Sequence, residues 1–177
     1  MSLNRAANIT GALSLVIADQ MSDAVSAAAG RSDSAAAALA ALLHFLDEPS
    51  VDLLRQVLGL TSSGTVRLLD RLEESGFVER RPGVGDGRST SVTLTESGRL
   101  AARQVADARA AVLERALGGL TTAERADFER LAGKMLAGMM RGPGAVRWIC
   151  RLCDTGACRG AAGGCPVGNA ARERYLT

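Results

Sequence analysis

The chain has 177 residues, 47% of them hydrophobic and 23% charged, with a formal net charge of +2. That balance supports a packed core, excludes wholesale disorder, and is too weakly basic to argue for nucleic acid by itself. Aromatic residues make up only 3%, so the core has to be built from Leu, Val and Ala, which suits closely packed helices. No run reaches the roughly 18 apolar residues of a membrane span. The start, MSLNRAANIT, lacks the apolar core and cleavage site of a secretory signal. A cytoplasmic protein with no membrane partner is therefore expected, with cysteines that serve as thiols or metal ligands rather than disulfides. Length allows one domain, or one domain with an appendage.

The first element is a helix over 4–29, with Leu13, Val16, Ile17, Met21 and Val25 at helical spacing. A second, rich in Ala and Leu, covers 34–46 and is closed by Glu48-Pro49. Ser50 caps a short helix over 51–58, and Gly59 turns the chain. Thr61 or Ser62 caps the next helix, which runs to about Ser75; Val66, Leu69 and Leu72 are its expected buried face, with Leu68 at the edge. Phe77–Arg81 and Ser91–Thr95 alternate as strands around the glycine-rich tip Pro82–Arg88. Thr95 caps a long helix to about Leu117, broken by Gly118-Gly119. Thr121 and Glu124 have capping-box spacing, and the helix they start, to about Met140, shows Phe128, Leu131, Met135, Leu136 and Met139 on one face.

Two short helices joined by a glycine turn and followed by a hairpin make a winged helix-turn-helix. The fold class expected is mainly α with a small β-hairpin wing, flanked by long dimerisation helices at 4–29 and 96–140. The reading element is 50–95. Its second helix suits the major groove of double-stranded DNA, with its N-terminal side chains meeting base edges. That end is Thr61-Ser62-Ser63-Gly64-Thr65, small and mostly hydroxylated. Arg67 is placed for base readout, Arg71 for a base edge or phosphate, and Arg88 at the hairpin tip for a neighbouring minor groove. One recognition helix reads only a few base pairs, so two copies on an operator are expected.

The stretch LLRQVLGLTSSGTVRLLDRLEESGFVERRPGVGDGRSTSVTLTESGR resembles the DNA-binding domain of the MarR family of bacterial transcriptional regulators. The resemblance rests on the LGLTSSGTVRLLDRLEESGFVERR run, the Asp86-Gly87-Arg88 tip and the LTESG helix start. It implies an obligate homodimer with interlocked terminal helices, a wing arginine at Arg88, and recognition contacts from Ser62, Ser63, Thr65 and Arg67. It further implies release from DNA by a small-molecule or oxidant effector. The family order of helices covers 4–140, so the chain divides into a winged-helix domain, 1–141, and an extension, 142–177, which departs from the pattern.

All four cysteines fall in that extension, as Cys150, Cys153, Cys158 and Cys165 in a C-x2-C-x4-C-x6-C arrangement followed by Pro166. Four thiolates can close a tetrahedral site, and the first pair has knuckle spacing. A short glycine-rich segment with few large apolar residues needs such a centre to fold. Zinc is the expected ion; an iron–sulfur cluster is the alternative, because a Cys-Pro end also occurs in ferredoxin ligation. Arg147, Arg151 and Arg159 would favour the thiolates. A short helix is expected near 169–175, and Trp148 is expected to pack the extension onto the helical body. His44, the only histidine, reads as a core or boundary residue.

No nucleotide-binding glycine loop and no Ser/His/Asp or Cys/His set is visible, so an enzyme is not expected. The function expected is a sequence-specific dimeric repressor, released by a ligand or by a redox or metal signal. The alternative is a thiol or iron–sulfur redox protein that uses the winged helix as a scaffold.

Overall fold

The structure is a computed structural model and describes residues 4–29, 32–82, 90–142, 144–159 and 164–175. In chain order its elements are α1 (Arg5–Ala29), α2 (Asp33–His44), α3 (Val51–Leu58), α4 (Ser62–Glu74), β1 (Val78–Pro82), β2 (Thr90–Leu94), α5 (Glu96–Leu117), α6 (Thr122–Met139), α7 (Ala145–Ile149), α8 (Thr155–Arg159) and α9 (Pro166–Tyr175). This is the mainly helical architecture with a two-stranded hairpin that the sequence predicts. Among the described residues no helix is long and apolar enough to cross a membrane.

The helix starts follow from local chemistry. Ser50 Oγ accepts from Leu53 N at 3.2 Å, Thr61 Oγ1 from Gly64 N at 3.1 Å, and Thr95 Oγ1 from Gly98 N at 3.0 Å. Thr121 and Glu124 form the full capping box. Each cap satisfies an amide that the helix itself leaves without a partner. Gly59 ends α3 at φ 65° and Gly76 turns the chain after α4 at φ 70°, left-handed conformations that glycine adopts without strain. Thr61→Ala is expected to lower stability by about 1 kcal/mol, read in a urea melt; Thr61→Ser should recover most of the loss.

The main core lies under the helix-turn-helix. Leu39 of α2, Leu54 and Val57 of α3, Leu68, Leu69 and Leu72 of α4, Val78 and Val92 of the hairpin and Ala102 of α5 are all essentially inaccessible. Each such Leu or Val contributes roughly 1.5–3 kcal/mol relative to exposure. β1 and β2 pair antiparallel, with Val78 opposite Leu94 and Arg80 opposite Val92. On its other edge β2 meets Ser50 through Ser91, and Val92 N donates to Pro49 O at 3.0 Å. The wing is thus fastened to the start of α3.

A second layer is built by α1 along α5 and by α2 against α5. Residues 4–16 of α1 are exposed throughout. The apolar face of α6 is exposed as well: Phe128, Leu131, Met135, Leu136 and Met139 are all at least 40% accessible.

The extension holds more structure than the sequence suggests. Two single-turn helices, α7 and α8, precede α9, which begins at Pro166 rather than near Asn169. Short helices of five residues carry too little periodicity to be read from sequence. The extension leaves α6 at Gly142, with φ 81°, and packs back on the body. Met140, Val167, Ala170 and Ala171 form a small cluster there. Arg174 Nη1 donates to Ala137 O at 3.1 Å, Gly142 N donates to the Tyr175 hydroxyl at 3.1 Å, and Thr155 Oγ1 donates to His44 O at 2.9 Å. His44 is the boundary residue expected, with Nδ1 at 3.9 Å from Asp154. Trp148 corrects its expectation. It is 53% exposed and does not anchor the extension; the small residues of α9 against α6 do that.

Candidate nucleic-acid interface and thiol cluster

Helix α4 is held from below and open above. Its buried side is Thr65, Leu68, Leu69 and Leu72. The spacing i, i+3, i+4, i+7 is that of one helical face. This corrects the face read from sequence in two places. Leu68 is central rather than at the edge, and Val66 is 48% exposed. The polar Thr65 hid the true stripe. Its hydroxyl is fully buried and donates to Thr61 O at 3.0 Å. Thr65 therefore faces the core and sets the first turn, whereas the sequence placed it at the base edges.

Ser62, Ser63, Val66 and Arg67 are the side chains exposed at the open end of α4. Val66 is the residue sequence reasoning missed, and its signal was the i, i+3, i+4, i+7 stripe beginning at Thr65. A valine methyl beside small hydroxyls offers an apolar contact of the kind that thymine methyl groups accept. The Arg67 side chain makes no hydrogen bond or ion pair with the described residues, so its guanidinium can meet an external acceptor. Arg71 is exposed but folds back, with Nε donating to Arg67 O at 3.1 Å. Arg88 lies outside the described residues.

The nearby charges divide into structural and available. Arg80 of β1 reaches across to α4, with Nη2 at 2.5 Å from Asp70 and Nε at 3.6 Å from Glu73. Its backbone N–H also donates to Glu73 at 3.2 Å. Arg81 pairs with Glu79 at 2.8 Å and Arg55 with Asp52 at 2.8 Å. Asp70 and Glu73 thus tie the wing to α4, and among the described residues no carboxylate pairs with Arg67.

The four cysteines come from separate pieces of the extension: Cys150 at the end of α7, Cys153 in the turn after it, Cys158 in α8 and Cys165 before α9. All are half-buried free thiols. Cys153 N donates to Cys150 O at 2.9 Å, which folds the first pair into a tight turn. Cys165 caps α9, its Sγ accepting from Gly168 N at 3.4 Å. Cys153 and Cys165 act on the Cys150 thiol, and Cys165 and Cys153 on that of Cys158. Among the described residues, no three or more His, Cys, Asp or Glu side chains are already set to hold a metal ion.

Electrostatics polarise the cluster. The Cys153 thiol is pulled down to about 6, first by the hydrogen bond from Cys150 and then, against its burial, by the charges of Arg109 and Arg151. Cys150 is pushed up by the same hydrogen bond, by burial and by the neighbouring sulfurs. Cys158 is raised mainly by burial. Cys153 is the member that carries negative charge most readily. Arg151 was foreseen; Arg109, from α5, was not, because only the fold brings it to the extension.

The MarR family model matches residues 29–89. Over 84 residues the chain is 36% identical to the HTH-type transcriptional regulator YwhA of Bacillus subtilis, a match covering 48% of this chain and 60% of that protein. It is 31% identical over 80 residues to the transcriptional repressor MprA of Escherichia coli K12, covering 45% of this chain and 46% of that one. The chain thus spans about half the length of the curated relatives it matches. The crystal structure of a MarR-family transcriptional regulator from Silicibacter pomeroyi superposes with a TM-score of 0.57 at 27% identity, over 77% of this chain and 90% of that one. The helix-turn-helix and its wing thus lie within the stretch that matches the MarR family model, and the chain shares its winged-helix fold with a solved structure of that family.

Proposed function

We propose that the protein is a sequence-specific DNA-binding transcriptional regulator that acts as a dimeric repressor. The observation that carries this reading is the end of α4: Ser62, Ser63, Val66 and Arg67 are exposed above a rigid floor of Thr65, Leu68, Leu69 and Leu72. Side chains at a helix N-terminus meet base edges when the helix enters the major groove, and the amides there favour phosphate. Arg67 makes the sequence-reading contact, Arg71 swings from its own helix to phosphate, and Arg88 is assigned to the minor groove by its place in the sequence. The repressor role is taken from the similar transcriptional repressor MprA.

Two copies pair through the exposed faces of α1 and α6. Trp148, Leu136 and Met139 line one surface cleft, which extends that face into the extension. The two reading helices then address half-sites about one turn of DNA apart. Release is assigned to a small apolar effector or an oxidant. A cleft lined by Met21, Val25, Ala37, Leu58 and Leu152, where α1, α2 and α3 meet the extension, suits the former. The rival reading, a redox carrier on a winged-helix scaffold, accounts for the thiols but leaves the exposed end of α4 without a role.

The test is fluorescence anisotropy on DNA from upstream of the protein's own coding sequence, at fixed salt. Arg67→Ala is expected to weaken specific binding by about 1–3 kcal/mol, roughly 5- to 150-fold, and to relax preference at one base pair per half-site. Unchanged affinity and unchanged preference would overturn the assignment.

A further inference from the structure

Val66 is the odd residue on the open side of α4. It is 48% exposed, beside Ser62, Ser63 and Arg67, which all carry polar groups. The core beneath α4 is built by Leu68, Leu69 and Leu72, without it. Valine is also a poorer helix former than alanine, because its branched Cβ crowds the preceding turn. Neither burial nor helix formation therefore accounts for a valine at this position.

The backbone that carries it is held firmly. Val66 O accepts from Arg80 Nη2 at 3.5 Å, and Arg80 is itself held by Asp70 and Glu73. One turn earlier, Thr61 caps the helix and the buried Thr65 hydroxyl bonds back to Thr61 O. A valine in a helix keeps one dominant rotamer, so its two methyl groups stand in a fixed place. Behind them the apolar surface continues, because Val66 shares a cleft with Val51 and Leu69 between α3, α4 and the hairpin. A contact made there costs the protein little conformational entropy.

We propose that Val66 reads thymine: its methyl groups meet the C5-methyl of one thymine in each half-site, close to the base pair that Arg67 contacts. The assignment rests on α4 being the helix that reads DNA. In the major groove thymine alone among the four bases presents an apolar group; the remaining edges offer N–H donors or N and O acceptors. Valine can neither donate nor accept. A cytosine amino group or a purine edge set against it gives up water and gains no partner. Val66 thus favours thymine and penalises the other bases at one position. Arg67 has the complementary preference, since its N–H donors suit the acceptors of guanine. The two neighbours divide the readout between an apolar and a polar contact.

The experiment uses the full chain and a duplex from upstream of its own coding sequence, with affinity read by fluorescence anisotropy at fixed salt. Each thymine is replaced in turn, in both half-sites, by deoxyuridine, which pairs as thymine does and lacks only the C5-methyl. One position is expected at which wild-type affinity falls about 4-fold per half-site, or about 15-fold for both. Val66→Ala should bind the thymine duplex more weakly by a similar factor and be indifferent to deoxyuridine at that position. Such non-additivity is the mark of direct contact. Alanine is the better helix former, so the variant folds, and its urea melt should match or exceed that of the wild type. A wild-type chain indifferent to deoxyuridine at every position, or a loss that persists unchanged in Val66→Ala, overturns the assignment. If Arg67→Ala still weakens specific binding in that case, α4 stands as the reading helix and only the role of Val66 falls. If no duplex is bound specifically and Arg67→Ala changes nothing, both fall together.

Discussion

A chain carrying Leu131→Glu and Met135→Glu together is expected to be monomeric and to bind its operator about 100-fold more weakly, or worse. Both residues are more than half exposed on α6, in a row with Phe128, Leu136 and Met139. Ile9, Leu13 and Val16 repeat the pattern on α1, also in the open. Covering such side chains contributes roughly 1.5–3 kcal/mol each. A carboxylate brought into the same contact loses its water without a partner, at a cost of several kcal/mol. The monomer still folds, because neither side chain contributes to the cores of the single chain; helical circular dichroism should be unchanged. Its DNA affinity falls because each reading helix then binds alone and loses the effective concentration its partner supplied, worth about 10²–10⁴. Light scattering measures the mass, and Trp148, the only tryptophan, reports its own exposure by a red-shifted emission. A variant that stays dimeric, or a monomer that keeps full affinity, would rule out pairing through α6.

Gly98→Ala should remove about 3 kcal/mol of stability, one of the largest losses available to a single methyl group in this chain. An added Cβ would lie 1.9 Å from Phe77 O and 2.8 Å from its carbonyl carbon. Those are backbone atoms and cannot rotate aside. They are also fixed from several directions. Thr95 N donates to Phe77 O at 3.1 Å, while Thr95 Oγ1 and Ser97 Oγ both donate to Gly76 O, at 2.5 and 2.6 Å. To admit the methyl group, the start of α5 has to move away from the α4–β1 turn and break part of this knot. Overpacking of this kind costs about 1–3 kcal/mol and occasionally more; rigid backbone on both sides puts Gly98 at the upper end. The melting temperature should fall by about 6–12 °C. A loss below about 1 kcal/mol in a urea melt would show that the α5 start is more compliant than its hydrogen bonds imply.

Much of the fold was legible in the sequence, for a reason visible in particular residues. Ser50, Thr61, Thr95 and Thr121 each cap a helix through an atom three residues away, and Gly59 and Gly76 turn the chain by their own φ. Interactions that short are written in neighbouring letters. The recognition helix was legible in position but not in rotation. A threonine in the core at position 65 satisfies its hydroxyl on its own helix, so a polar letter occupied a buried slot and Val66 was mistaken for its neighbour on the inner face.

The sequence by itself determined where each helix of the winged-helix body begins, where the hairpin lies, and that four cysteines share one short segment. It took the packed structure to show which side chains of α4 face outward, that Arg80 is held by Asp70 and Glu73 while the Arg67 side chain has no such partner among the described residues, that Trp148 stays exposed, and that Arg109 acts on Cys153. The division has one physical cause. Caps and turns are settled within a few residues of chain, whereas burial, ion pairing and the action of Arg109 on Cys153 depend on which distant surfaces the packed core brings into contact.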